Sequence, residues 1–306
     1  MFRNQLISVS AALLLFSCNS AQKETPATTD STKVVADTVK VPVVTVEQLW
    51  ATDTVLKTPE SVLYDKARNV IYVANINGKP TDKDKNGFIS KLTADGKIES
   101  LEWVKGLDAP KGMGLYKNKL YVTDISRIVE IDIEKGKISK TYNVPGAKFL
   151  NDLTVDTAGV VYFSDFETNK IHTLTNGKLA VWLDKDLNKP NGLLIESSRL
   201  LVAFSGSGDF KSYDLATKTA TGIATEIGAA DGVAYFGKPG HYVVSDWNGV
   251  VYLIEPSGNK NIVIDTKADK ISSADIDFIP ETSTLLVPTF FNNRVVAYKV
   301  THNDKK

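Results

Sequence analysis

Cysteine, histidine and net charge are all scarce in this chain, and each shortage excludes something. One cysteine, Cys18, stands among 306 residues, so no disulfide can form within the chain. Lys and Arg together number 36, as do Asp and Glu, so the formal net charge is zero. The lysines are spread rather than clustered, and no overall field favours nucleic acid or an acidic partner. After residue 43 no stretch holds a helical period of apolar residues. A solenoid of helical pairs is thereby excluded. At 42% hydrophobic residues the chain can still bury a substantial core, in one large all-β domain or two smaller ones.

The lone cysteine is informative by position. The chain opens Met1-Phe2-Arg3-Asn4 and runs apolar through Ala11-Ala12-Leu13-Leu14-Leu15-Phe16 to Ser17-Cys18. A short basic start, an apolar stretch and a small residue before a cut site describe a secretory signal peptide. That stretch is too short to span a bilayer as a helix. Leu15-Phe16-Ser17-Cys18 resembles the lipobox of bacterial lipoproteins, although Phe16 stands where a small residue is usual. The resemblance implies cleavage after a signal of residues 1–17 and a lipid on Cys18. It places the protein in the bacterial cell envelope, anchored to a lipid bilayer, with the outer membrane expected. Residues 18–41 are rich in Gln, Lys, Glu, Thr, Ser, Pro and Ala without apolar period, which reads as a flexible tether.

The remainder, 42–301, repeats one theme. Six short β-branched and aromatic runs recur at roughly 40 to 50 residues. They are Ile71–Asn75, Leu120–Asp124, Val161–Asp165, Leu200–Phe204, Tyr242–Asp246 and Leu285–Thr289. Each reads as the second strand of a four-stranded unit bounded by turn residues. The expected fold is all-β, a six-bladed β-propeller with four-stranded blades. Trp103 and Trp182 mark fourth strands, and Val46-Glu47-Gln48-Leu49-Trp50 looks alike but precedes the first blade. The last repeat, ending Arg294-Val295-Val296-Ala297-Tyr298, lacks a fourth strand. Residues 43–50 are therefore expected to supply it and close the ring.

First strands of a propeller line its channel. Aligning the repeats puts Glu60, Lys111, Asn151, Asn191, Asp231 and Asp275 at equivalent places near the axis. Three carboxylates and one ammonium give this ring a formal charge of −2. Carboxylate and amide oxygens suit a hard divalent cation, above all calcium. Zinc would want His or Cys, and neither occurs in the ring.

Pro59-Glu60, Leu150-Asn151-Asp152, Pro190-Asn191-Gly192 and Ala230-Asp231-Gly232 resemble the senescence marker protein-30/gluconolactonase family, with a wider likeness to paraoxonase and diisopropylfluorophosphatase propellers. The likeness covers about residues 43–300. It implies that Glu60, Asn151, Asn191 and Asp231 hold a catalytic calcium, and that Asp231 also acts as the base. Where the family Glu is usually followed by Gly-Pro, this chain has Ser61-Val62. Paraoxonases use a His pair near the metal; here His172, His241 and His302 start no first strand and read as surface residues.

The expected function is a calcium-dependent hydrolase of a small-molecule substrate, a lactone or related ester, working as a monomer. Asp231 and Lys111 are its catalytic candidates. Lys111 would hold a substrate anion or a leaving oxygen, or else form a salt bridge to Glu60. The alternative is a non-catalytic, envelope-anchored propeller that binds a ligand or protein around a structural cation. Asp82-Lys83-Asp84-Lys85-Asn86-Gly87 matches the opening of a calcium loop, but Thr93 stands where an EF-hand needs Glu. It reads as a solvated loop that could overhang the channel. Gly206-Ser207-Gly208 reads as a turn.

Overall fold

Among the described residues, twenty-four strands form six separate antiparallel sheets of four. The computed structural model describes residues 43–303; the expected signal segment, Cys18 and the tether 18–41 lie outside the described residues. Blade one holds β2 (Pro59–Asp65), β3 (Val70–Asn75), β4 (Gly87–Thr93) and β5 (Ile98–Leu107). Blade two holds β6 (Pro110–Tyr116), β7 (Lys119–Asp124), β8 (Arg127–Asp132) and β9 (Lys137–Asn143). Blade three holds β10 (Leu150–Val155), β11 (Val161–Asp165), β12 (Lys170–Thr175) and β13 (Lys178–Leu183). Blade four holds β14 (Pro190–Glu196), β15 (Arg199–Phe204), β16 (Phe210–Asp214) and β17 (Ala220–Ala224). Blade five holds β18 (Ala230–Tyr235), β19 (Tyr242–Asp246), β20 (Val250–Ile254) and β21 (Lys260–Asp265). Blade six is composite. Its inner strands β22 (Asp277–Ile279), β23 (Thr284–Pro288) and β24 (Val295–His302) are completed by β1 (Val44–Ala51) from the other end of the domain. The chain folds as the six-bladed β-propeller its repeats imply.

Burial follows from the stacking of blades. Second strands are packed on both faces, so β3, β11, β19 and β23 are buried throughout and read as continuous apolar runs. Outer strands such as β9 keep one edge and much of their surface in water and are polar. A cluster of buried apolar side chains fills each of the six seams. Leu120, Val122, Val129 and Ile131 of blade two, for example, meet Tyr72, Ile89 and Leu107 of blade one. The last seam, where Ile279, Leu286 and Ala297 meet Leu56, Val62 and Ile71, has the same character as the others.

Closure uses β1 as expected. It pairs with β24 from Val44 opposite His302 to Ala51 opposite Val296, with a bulge between Gln48 and Trp50. Trp50 then lies over the β4–β5 turn of blade one, where a Cβ on Gly96 would strike its ring. Trp103 covers Gly136 of blade two in the same way. Trp182 of blade three meets Tyr213 of blade four edge-on at 6.5 Å. The outer-strand tryptophans are thus clasps, each laid over the next blade.

Candidate metal centre and active site

Five equivalent strand starts converge on the axis, and their placement has a local cause. In blades one to five the pairing between first and second strands slips just after the first residue. That bulge turns the second residue out of the ladder and toward the channel. The second residues are Glu60, Lys111, Asn151, Asn191 and Asp231, and all five are buried and line one cavity of about 350 Å³. The glycine that follows in blades two, four and five has a packing reason. A Cβ on Gly192 would collide with the Asp231 carbonyl, and one on Gly112 or Gly232 with the Asp152 or Asp275 residue of the next blade.

Asp275 departs from this set. It precedes β22 rather than starting it, and its backbone bridges to blade one: its N–H donates to the Glu60 carbonyl at 2.9 Å. Its Oδ2 accepts the Ser61 hydroxyl at 2.6 Å. It does not border the cavity of the other five but a second one, of about 250 Å³, shared with Asp152 and Asp277.

Outer supports hold the ring. The last residue of the second strand orders the loop that leads into the first strand of its own blade. Asp124 accepts the N–H groups of Asp108 and Ala109, Asp165 those of Lys148 and Phe149, Asp246 that of Ala229, and Asn75 that of Lys57. A hydroxyl one residue earlier reaches the next blade. Thr123 donates to the Asn151 carbonyl, Ser164 to the Asn191 carbonyl at 3.0 Å, and Ser245 to the Ala274 carbonyl at 2.8 Å.

Electrostatically the channel is a low-dielectric pit with several carboxyls. Burial pushes the Glu60, Asp152 and Asp231 carboxyls well above the usual range, and repulsion from Asp275 adds to each. A hydrogen bond with Asn191 partly offsets this for Asp231, as Lys111 does for Glu60. Asp275 itself is raised to about 7, chiefly by burial. Glu60 Oε2 and Asn191 Oδ1 are buried without a hydrogen-bond partner. Buried polar atoms without a partner are uncommon in folded proteins, and these two face the same cavity. Among the described residues no three of His, Cys, Asp and Glu come together as a metal cluster. The cavity set instead mixes two carboxylates with two amides, all oxygen donors of the kind a hard cation takes.

Lys111 does not make the salt bridge to Glu60 that was one of its expected roles. Its ammonium donates to the carbonyls of Pro80 and Ala109, both at 3.0 Å, and sits 4.5 Å from the centre of the Phe149 ring. Burial lowers its pKa to about 8, against the pull of Glu60 and Asp124. Pro80 belongs to the long β3–β4 loop, so this loop does overhang the channel. In its calcium-like segment the Asn86 side chain donates to Asp84 Oδ2 at 2.7 Å, while Lys83 donates to the Ser126 hydroxyl and the Lys85 N–H to Asp108 Oδ1.

Two further features escaped the sequence reading. One is Asp152, a buried carboxyl beside Asn151 whose oxygens accept the N–H groups of Leu153 and Leu193. The other is an apolar belt above the polar ring. The residue just after each second strand is Ile76, Ile125, Phe166, Ser205, Trp247 or, in blade six one place later, Phe290, and all but Ile125 line the cavity. Phe149 and Phe291 extend this wall. The signal was present as a fixed position in the repeat, a step beyond a motif already aligned. Phe290 adopts φ 48, a strained conformation for a bulky residue, within a short 3-10 turn (Phe290–Asn292).

None of the histidines lines the cavity. His172, expected at the surface, is buried and stacked on Phe163 at 5.3 Å, where burial lowers its pKa. His302, expected at the surface in the tail, ends β24 with its Nε2 3.5 Å from Glu255.

No protein family and no curated protein matches this sequence. Solved structures do match in three dimensions. A gluconolactonase from Xanthomonas campestris superposes with a TM-score of 0.66 at 16% identity, over 84% of this chain and 89% of that one. An inactive virginiamycin B lyase from Staphylococcus aureus, solved with quinupristin, gives 0.59 at 13% identity over 84% and 99%. A chain of a nidogen/laminin complex gives 0.61 at 17% identity over 72% and 84%. At these identities the likeness is one of fold. The class defined is a six-bladed propeller with an oxygen-lined channel, and its structural neighbours include two enzymes and a member of a protein complex.

Proposed function

We propose that this chain is a gluconolactonase-like hydrolase that uses a divalent cation, calcium, to open a small lactone or related ester. One observation carries the reading: Glu60 Oε2 and Asn191 Oδ1 are buried and unpartnered in the cavity that Asn151 and Asp231 also line. Each orphaned oxygen costs about 1–3 kcal/mol. A hard cation held by Glu60, Asn151, Asn191 and Asp231 would remove that cost and polarise a substrate carbonyl.

The other steps belong to the chain's own side chains. A cation held there would favour the ionised form of the ring carboxyls, Asp231 among them. Asp231 takes a proton from the water that attacks the acyl carbon. When the acyl C–O bond breaks, that proton passes to the departing oxygen, giving a carboxylic acid and an alcohol. An ammonium has three N–H donors. Lys111 commits two to Pro80 and Ala109 and keeps one for the departing oxygen.

Purified protein should turn over lactones or aryl esters with calcium and stop with chelator. Asp231→Ala should lose turnover and cation affinity together; full activity in that variant removes the mechanism. Chelator-sensitive melting with no turnover on any substrate assigns the chain instead to binding propellers, the role the nidogen/laminin neighbour suggests. The lipid on Cys18, anchoring a monomer to the outer membrane, is part of the same proposal. An unmodified Cys18 in the mature protein, read by mass spectrometry, rejects it.

A further inference from the structure

We propose that the channel takes a substrate with an apolar body, an alkyl or aryl lactone or ester, rather than a polyhydroxylated sugar ring. This rests on the hydrolase reading for the reacting group and goes beyond it for the part that does not react.

The cavity is divided by height. Its polar atoms are in the floor, where the first strands begin. Its wall comes from the residues that follow the second strands, and there, among the described residues, Ser205 supplies the one side-chain hydroxyl. Phe166 stands in blade three, and Trp247 with Phe290 in blades five and six, so aromatic side chains line the cavity from both sides of the ring. Trp247 meets Phe290 edge-on at 5.7 Å. A sugar lactone presents a hydroxyl on nearly every carbon. Pressed against Phe166, Phe290 or Ile76, these lose water and gain no partner, and the Trp247 indole N–H can serve only one of them. An alkyl or aryl body loses nothing polar there and gains the area it removes from water.

Phe291 points to the same ligand. It is 69% exposed at the mouth, edge-on to Phe290 at 4.7 Å and to Trp247 at 6.1 Å. Phe290, the buried member of this pair, has a left-handed backbone with φ 48. A strained turn that presents an aromatic ring to water beside a cavity extends the apolar wall outward, where a longer substrate would cover it.

The test uses the full calcium-loaded chain. kcat/KM is measured for γ-lactones of increasing alkyl length and for glucono-δ-lactone. In parallel, binding of unreactive N-alkyl lactams of the same lengths is followed by calorimetry, for wild type and Trp247→Ala. Each methylene should raise kcat/KM and lactam affinity about fourfold until the cavity is full. Trp247→Ala should flatten that rise, and the sugar lactone should be the poorest substrate. Preference for glucono-δ-lactone, with rates indifferent to chain length, overturns the inference and leaves the hydrolase reading intact. Length-dependent lactam binding that Trp247→Ala weakens, with no turnover of any lactone, supports the apolar ligand and removes the hydrolase. Absence of any length dependence in both measurements overturns the inference.

Discussion

Replacing Asp275 by Asn in the metal-free protein should change how stability depends on pH. In the folded state this carboxyl is raised from 3.8 to about 7, with burial as the main cause. The unfolded chain ionises it near its ordinary value. Between those two values the native state therefore binds more protons than the unfolded state. Stability must fall as pH rises through that window and level off above about 7. The full effect is on the order of 4 kcal/mol, at about 1.4 kcal/mol per pKa unit. The substituted amide would carry no charge, while its oxygen can still accept the Ser61 hydroxyl that Asp275 Oδ2 accepts now. The substitution also relieves Glu60, Asp152 and Asp231, whose carboxyls Asp275 helps to raise. Urea melts in chelator at several pH values from about 4.5 to 7.5 should show the variant gaining on wild type as pH rises. The gain at the upper end should be a few kcal/mol, or on the order of 10 °C in Tm for a domain of this size. Parallel stability curves for the two proteins across that range would refute the reasoning.

Other outcomes follow from the supports of the ring. Ser164→Ala leaves the Asp152 N–H and the Asn191 carbonyl without their shared partner, so it should cost about 1–3 kcal/mol in urea melts and weaken calcium binding, with Ser164→Thr recovering part of both. Gly192→Ala forces β14 away from the Asp231 carbonyl; a loss of roughly 1–3 kcal/mol and lower calcium affinity by calorimetry are expected. Removing residues 43–50 bares the edge of β24 and lifts Trp50 from blade one. Loss of a packed Trp alone is worth about 3–5 kcal/mol, so an unchanged melting temperature would contradict closure by this strand.

Much of the fold was legible because a propeller writes its architecture into sequence once per blade. The six apolar runs that became β3, β7, β11, β15, β19 and β23 were visible as repeats, since strands packed on both faces are mostly aliphatic and aromatic along their middle residues. The orphan strand at Val44–Ala51 was legible for a related reason: one repeat was short by a strand and one strand stood outside a repeat. Five members of the ring, Glu60, Lys111, Asn151, Asn191 and Asp231, were found by alignment alone and do share a cavity. Asp275 was aligned with them yet faces the other cavity, because its blade lacks the longer first strand and its backbone leans on Ser61 instead. His172 is polar in sequence and buried in the fold, because Phe163 of the neighbouring strand covers it.

By itself, then, the sequence determined the repeat, the blade count, the closing strand and the identity of the channel-facing polar residues, all of which depend on local pattern at a fixed period. Tertiary structure decided what surrounds those residues. It left Glu60 and Asn191 with unpartnered oxygens, clamped Lys111 between two carbonyls and a phenyl ring, and stacked an aromatic wall above them. These depend on side chains far apart in the chain that approach only when six blades close, so no local pattern could record them.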